Sequence, residues 1–288
     1  MIYGLITVDY EDYGQRIDKV NAENNVFVPS DKIMEFFSGY NIPVTFFVNV
    51  AEILAYRKFS LREYFGYENH LKKIIDSGHD VQMHFHPEWL FYKRENDLWI
   101  RGPDPIYISE FGYEIGRGKS WLSRDRKLIN LNEYKEGLQE CFDFLNSLNK
   151  IIAYRGAGYQ IFPLEINFPI LYDMGVRVDS SIYDNYSRVK PELSSFTFDK
   201  KLIYEVPIVE WQNKLRWDMS QRATSVYQVY NVLNKGEDDF FMVMMGHCKQ
   251  KVYFDNLREM LEKVKSLVTF ITFKEVINNE FNDNRSEA

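Results

Sequence analysis

The chain has 288 residues, of which 45% are hydrophobic and 16% aromatic, enough to fill a large buried core. Its 35 Lys and Arg against 42 Asp and Glu give a formal net charge of −7, with the cations interspersed among the acids. No basic tract of the kind that holds nucleic acid is present, no apolar run reaches the ~18 residues of a membrane span, and Cys141 and Cys248 form no disulfide framework.

Taken in chain order, IYGLITV (2–8) is short, apolar and β-branched, and reads as a buried strand. SDKIMEFFSG follows as a helix, with Ile33, Phe36 and Phe37 on one face and Gly39 at its end. PVTFFVNV (43–50) is a second strand, ENHLKKIIDSG (68–78) a helix stopped by Gly78, and HDVQMHFH the next strand. Residues 88–126 are aromatic, charged and turn-rich, too long for an ordinary βα loop, and are expected to form an excursion over the active face. The alternation then resumes: a helix at 131–148, a strand IIAYR, a helix at 163–175 ended by Gly175, a strand at 176–181 and a strand at 204–210. A helix QRATSVYQVYNVLNKG, a strand at 239–248, a helix YFDNLREMLEKVKS, a strand LVTFITF and a short helix FKEVINN complete it, and residues 281–288 read as a polar tail. Apolar strands alternating with helices predict parallel βαβ units in one domain, 1–280.

Chemistry-bearing residues recur where these strands end. Asp9, Glu11 and Asp12 follow the first strand. His84 and His86, two residues apart, share one side of an extended strand, while His79 stands at its start. Two imidazoles and a carboxylate make a three-ligand site for Zn2+ or a similar divalent ion, with a fourth position for water. Arg155, Asp179 and His247 close three further strands. Groups drawn from the carboxyl ends of several strands are what a (β/α) barrel enzyme uses.

With these residues in place, the chain resembles the polysaccharide deacetylases of the NodB-homology type (carbohydrate esterase family 4-like) over about residues 1–275. The resemblance implies an α/β fold, an irregular (β/α)7-type barrel. TVDYED matches the first motif, which makes Asp9 the catalytic base; Tyr10 stands where the metal-binding acid normally follows, so Glu11 takes that part, with Asp12 as the alternative. In the second motif His84 fits the first histidine, Glu88 stands four residues on, and His86 is the substitute. YRGAG resembles the third motif, with Ala157 for the usual proline, and makes Arg155 the residue that orients Asp9. Asp179 would hold the catalytic imidazole, and His247 would be the general acid.

The resemblance implies a metal-dependent hydrolase that removes an acetyl group from an N-acetylated sugar or polysaccharide precursor, using a divalent metal held by Glu11, His84 and His86. Hydrolysis of a non-sugar amide or cyclic imide, or a silent glycan-binding homologue, are the alternatives. Trp89, Phe91, Tyr92, Trp99, Tyr107, Tyr113 and Trp121 supply aromatic faces for a sugar-stacking lid, or else pack the excursion onto the barrel rim. The first residues lack the positive and long apolar regions of a signal peptide, so a cytoplasmic location is expected.

Overall fold

The computed structural model describes residues 2–12, 21–91, 93–95, 98–100, 104–108, 114–115, 126–129, 131–156, 164–181, 183–186, 194–198, 200–211, 215–216, 219 and 240–277. The predicted helix at 221–236 and the 281–288 tail lie outside them. The main sheet is built from β1 (Ile2–Tyr10), β2 (Val44–Asn49), β3 (Asp80–Phe85), β4 (Ala153–Gly156), β5 (Val178–Asp179), β6 (Ser194–Phe198), β7 (Lys201–Glu205), β8 (Phe240–His247) and β9 (Val268–Phe270). Its order is β6-β7-β5-β4-β3-β2-β1-β8, and β9 pairs with the first residues of β1. All pairings are parallel except that of β6 with β7. Beyond β7 the chain passes Val206 and Pro207, and the strand Ile208–Trp211 lies against β8 at the opposite edge. The sheet is thus curled into the irregular barrel that the family resemblance implies. The single strand expected over 204–210 is two strands in different sheets, because Pro207 brings no amide hydrogen to a ladder.

Helices α1 (Val28–Ser38), α2 (Val50–Phe59), α3 (Leu61–Asp76), α4 (Leu131–Leu148), α5 (Leu164–Met174) and α6 (Phe254–Val264) flank the sheet. Their buried residues fall at helical spacing, as in Tyr67, His70, Leu71 and Ile74 of α3 or Leu257, Met260, Leu261 and Val264 of α6. Gly78 and Gly175 stop α3 and α5 as expected. At φ +82° and +106° they adopt the left-handed conformation. Each sets up the paired bonds of a Schellman cap, His79 N to Ile74 O with Gly78 N to Ile75 O, and Val176 N to Leu171 O with Gly175 N to Tyr172 O.

Alternation along the strands separates two apolar layers. Ile6, Val8 and Tyr10 of β1, Phe46 and Val48 of β2, and Val81, Met83 and Phe85 of β3 face the helices. Leu5, Phe47, Ala153, Phe241, Val243 and Met245 fill the barrel interior. Further along the inward set the residues become polar: Thr7, Asp9 and Glu11 follow Leu5, His84 and His86 follow Gln82, Arg155 follows Ala153 and His247 follows Met245. The strand period of two therefore delivers every one of these side chains to one end of the barrel interior.

Candidate metal centre

At the boundary between the two zones lies Arg155, which is fully buried. Its guanidinium stacks 4.0 Å above the Phe47 ring, the top of the apolar filling. Nε donates to Ser180 O (3.1 Å), Nη2 to Ser180 Oγ (3.1 Å), and Nη1 to both Thr7 Oγ1 (3.2 Å) and Asp9 Oδ1 (2.7 Å). Burial pushes the Asp9 carboxyl up, but the guanidinium, with His84 and His247, outweighs it and holds Asp9 below its ordinary range. Asp9 is therefore a fixed carboxylate, and its second oxygen, Oδ2, lies 3.5 Å from His247 Nε2.

The neighbouring cluster is Glu11, His84 and His86, all buried, with one candidate ligand atom from each lying within 4.8 Å of the others. His84 Nδ1 donates to Arg155 O at 2.8 Å, since a carbonyl can only accept. That bond fixes the tautomer and turns the Nε2 lone pair inward. His86 Nε2 is 3.0 Å from His84 Nε2, and Glu11 Oε2 lies 2.8 Å from His86 Nε2 and 3.6 Å from His84 Nε2. Burial raises the Glu11 carboxyl, but the two imidazoles hold it well below its usual range. Two nitrogens and an anionic oxygen converging in a buried site call for a cation, or a proton in its place. The donor set is one that a divalent ion takes, with positions left over for substrate or water.

Glu11 and Asp12, which the sequence left as alternatives, part company here. Asp12 Oδ2 accepts from Asn25 Nδ2 (3.1 Å) and Asn21 N (3.3 Å), and its amide donates to Glu52 Oε2 at 3.2 Å. Among the described residues it is Glu11 that joins the histidines. Tyr10 points the other way, into the helix layer, where its hydroxyl meets His70 Nδ1 at 2.8 Å and His70 Nε2 meets Asp31 at 3.1 Å. Anchoring the intervening residue outward is what lets Asp9 and Glu11 both face inward. His79 stays outside the cluster and bonds Val44 N and Ser38 Oγ, both at 3.2 Å.

One expectation does not match the geometry. Asp179, foreseen as the partner of the His247 imidazole, accepts instead from Ser181 N (3.0 Å) and Ser181 Oγ (2.8 Å) and shares a hydrogen bond with Glu205. Ser181 Oγ in turn takes the Gly156 amide at 2.6 Å, so Asp179 ties β5 to β4. Gly246, the residue before His247, is covered by Met219: a Cβ there would stand 2.8 Å from the Met219 sulfur. Trp89 is buried in the core at 3% exposure, which is the packing role left open for these aromatic residues rather than a stacking face. Phe91, Tyr92, Trp99, Tyr107, Tyr113 and Trp121 lie outside the residues whose side chains are described.

Two contacts were not anticipated. Cys248 Sγ receives the Glu11 amide at 3.4 Å and lies 3.3 Å from Glu11 O, pinning the turn after β1, while burial raises its thiol pKa and keeps it protonated. Lys249 Nζ lies 3.4 Å from Glu11 Oε1, and burial pulls the ammonium down to about 8 against the opposing pull of that carboxylate. The signal was present in HCK: Lys249 follows His247 by two positions.

By sequence, no family model and no curated protein matches the chain. Solved structures do match by shape. A Mycobacterium smegmatis protein assigned as a polysaccharide deacetylase superposes at TM-score 0.63 and 13% identity, over 98% of this chain and 91% of that one. The fold is that of the polysaccharide deacetylases. Puue allantoinase shares this deacetylase fold at TM-score 0.59 and 12% identity, over 96% of this chain and 89% of that one. A 4-alpha-glucanotransferase from Thermococcus litoralis matches at 0.55 and 13%, over 96% of this chain and 38% of that one. Their names span different reactions, so on the deacetylase fold it is the site that must specify the chemistry.

Proposed function

We propose that this chain is a metal-dependent hydrolase that removes the acetyl group from an N-acetylated sugar or polysaccharide precursor. The observation that carries the reading is the convergence of Glu11, His84 and His86 beside an Asp9 carboxylate gripped by Arg155 and faced by His247. A divalent ion held by Glu11, His84 and His86 would supply a Lewis acid for the acyl carbonyl and for water. Asp9, ionised and held on one oxygen by Arg155, has Oδ2 turned toward His247 and accepts the proton of the attacking water. His247, on the same side and 3.9 Å from Glu11 Oε1, gives a proton to the departing amine nitrogen. Arg155 holds Asp9 in place: one of its hydrogen bonds goes to Asp9 Oδ1, and the others, to Thr7 and Ser180, fix the guanidinium.

The test is release of acetate from N-acetylglucosamine oligomers and from small N-acetylated sugars, by metal-stripped protein and after adding back Zn2+, Co2+ or Mn2+. Acetate release that depends on metal and disappears in Asp9→Asn is expected. Full activity after stripping, or none with any acetylated sugar, would sink the sugar reading. The shape likeness to an allantoinase favours one second reading, hydrolysis of a non-sugar amide or cyclic imide. Metal-dependent opening of a cyclic imide, without acetate release from sugars, would select it.

A further inference from the structure

The two oxygens of Glu11 have separate surroundings. Oε2 faces the imidazoles, 2.8 Å from His86 and 3.6 Å from His84. Oε1 faces the turn after β8, with Lys249 Nζ at 3.4 Å and His247 Nε2 at 3.9 Å. That turn is rigidly joined to the Glu11 segment. Asp9 and His247 are register partners on β1 and β8, Cys248 N bonds Asp9 O at 3.4 Å, and Gln250 N bonds His247 O at 3.0 Å. Three consecutive residues, His247, Cys248 and Lys249, therefore all touch the Asp9–Glu11 strand end. The Lys249 side chain is only 21% exposed, so it is not an ordinary solvated surface cation.

We infer that Lys249 is a positioning residue for the metal centre: its ammonium holds Oε1 of Glu11, so that Oε2 alone is presented to the cation beside His84 and His86. This rests on the metal reading of the triad. A carboxylate with both oxygens free can turn and bind an ion through both, filling a position that a hydrolase needs open. An ammonium on one oxygen removes that option, and it also draws electron density from the ligand. Its charge carries a cost as well, because it repels a divalent ion bound nearby. Lys249 thus trades metal affinity for an open position, which a residue of merely structural value would not do.

The experiment loads metal-stripped wild type, Lys249→Met and Lys249→Arg with Co2+, reads affinity by calorimetry and coordination by visible absorption, and checks folding by circular dichroism. Co2+ absorbs more weakly as its coordination number rises. Lys249→Met should bind about tenfold more tightly, the order expected from removing one nearby positive charge, and its absorption should weaken as Glu11 gives its second oxygen. Lys249→Arg should keep the wild-type spectrum. A folded Lys249→Met protein with the wild-type spectrum, or with weaker binding, would overturn the inference while leaving the metal reading intact. Failure of wild type to bind Co2+ at all would overturn both.

Discussion

Arg155 Nη1 sits 2.7 Å from Asp9 Oδ1, with the two side chains 0% and 2% exposed. An ion pair taken that far from water is tolerated only if its remaining donors are occupied, and Ser180 and Thr7 occupy them. Removing one partner leaves the other charge stranded. Arg155→Met should therefore cost about 3–5 kcal/mol in urea unfolding. The acid limb of the activity profile should also move to higher pH, because Asp9 loses the cation that keeps it ionised. Arg155→Lys should rescue little, since an ammonium cannot reproduce the planar fork. A loss under about 1 kcal/mol would mean the pair is not the buried keystone described.

Two buried carboxyls should move stability in opposite directions with pH. Asp9 is held below its unfolded value, so its contribution is complete above about pH 4 and is lost as pH falls through the folded value. Glu52 is the reverse: burial, then repulsion from Asp12 and Glu11, raises it well above its ordinary value. Keeping its proton costs nothing below about pH 4 and progressively more as pH rises toward the folded value. Glu52→Gln keeps an oxygen for the Asp12 amide and Asn49 Nδ2. It should raise Tm at pH 8 and leave it unchanged at pH 4, whereas Asp9→Asn should flatten the acid side. Thermal melts across pH 3–9 check both, and a Glu52→Gln melt lowered equally at every pH would refute the protonated-acid picture.

The ligand assignment separates neighbours in sequence. His84→Ala, His86→Ala and Glu11→Gln should each sharply lower metal content measured by elemental analysis. Asp12→Asn and His79→Ala should retain it, because Asp12 serves Asn21 and Asn25, and His79 serves Val44 and Ser38. Those two should lose stability instead, on the order of 1 kcal/mol per hydrogen bond. Full occupancy in both His84 and His86 variants would dissolve the site.

What could be read before the fold was known depended on periodicity and on strand ends. The apolar runs of β1, β2 and β8 are buried on both faces and stand out as continuous stretches. His84 and His86 were legible as a pair because a strand puts i and i+2 together. α2 was missed: VAEILAYRKF has apolar residues around much of its circumference, and Asn49 makes no side-chain cap bond. The β6–β7 hairpin was missed because its tight turn uses Lys200 at φ +67° rather than the Asn-Gly or Asp-Gly that marks such turns. The partner of Asp179 depends on which strands become neighbours and how the turns close, and no local pattern carries that.

His247 offers the sharpest separation of chemistry from packing. Its Nε2 lies 3.5 Å from Asp9 Oδ2 and 3.9 Å from Glu11 Oε1, on the inward face of β8. An amine leaves poorly without a proton, whereas an activated phenol ester needs little help. His247→Ala should therefore lower kcat on an amide by about 10²–10⁴-fold, with a much smaller loss on a matched activated ester. Asp179→Asn should behave differently from His247→Ala, because its carboxylate serves Ser181 and Glu205 rather than the imidazole. A lowered Tm is expected there, with the amide-to-ester ratio unchanged. Equal losses on both substrates in His247→Ala would remove the acid role. A shifted ratio in Asp179→Asn would instead show that Asp179 reaches the imidazole through groups between them, and would return it to the machinery of proton transfer.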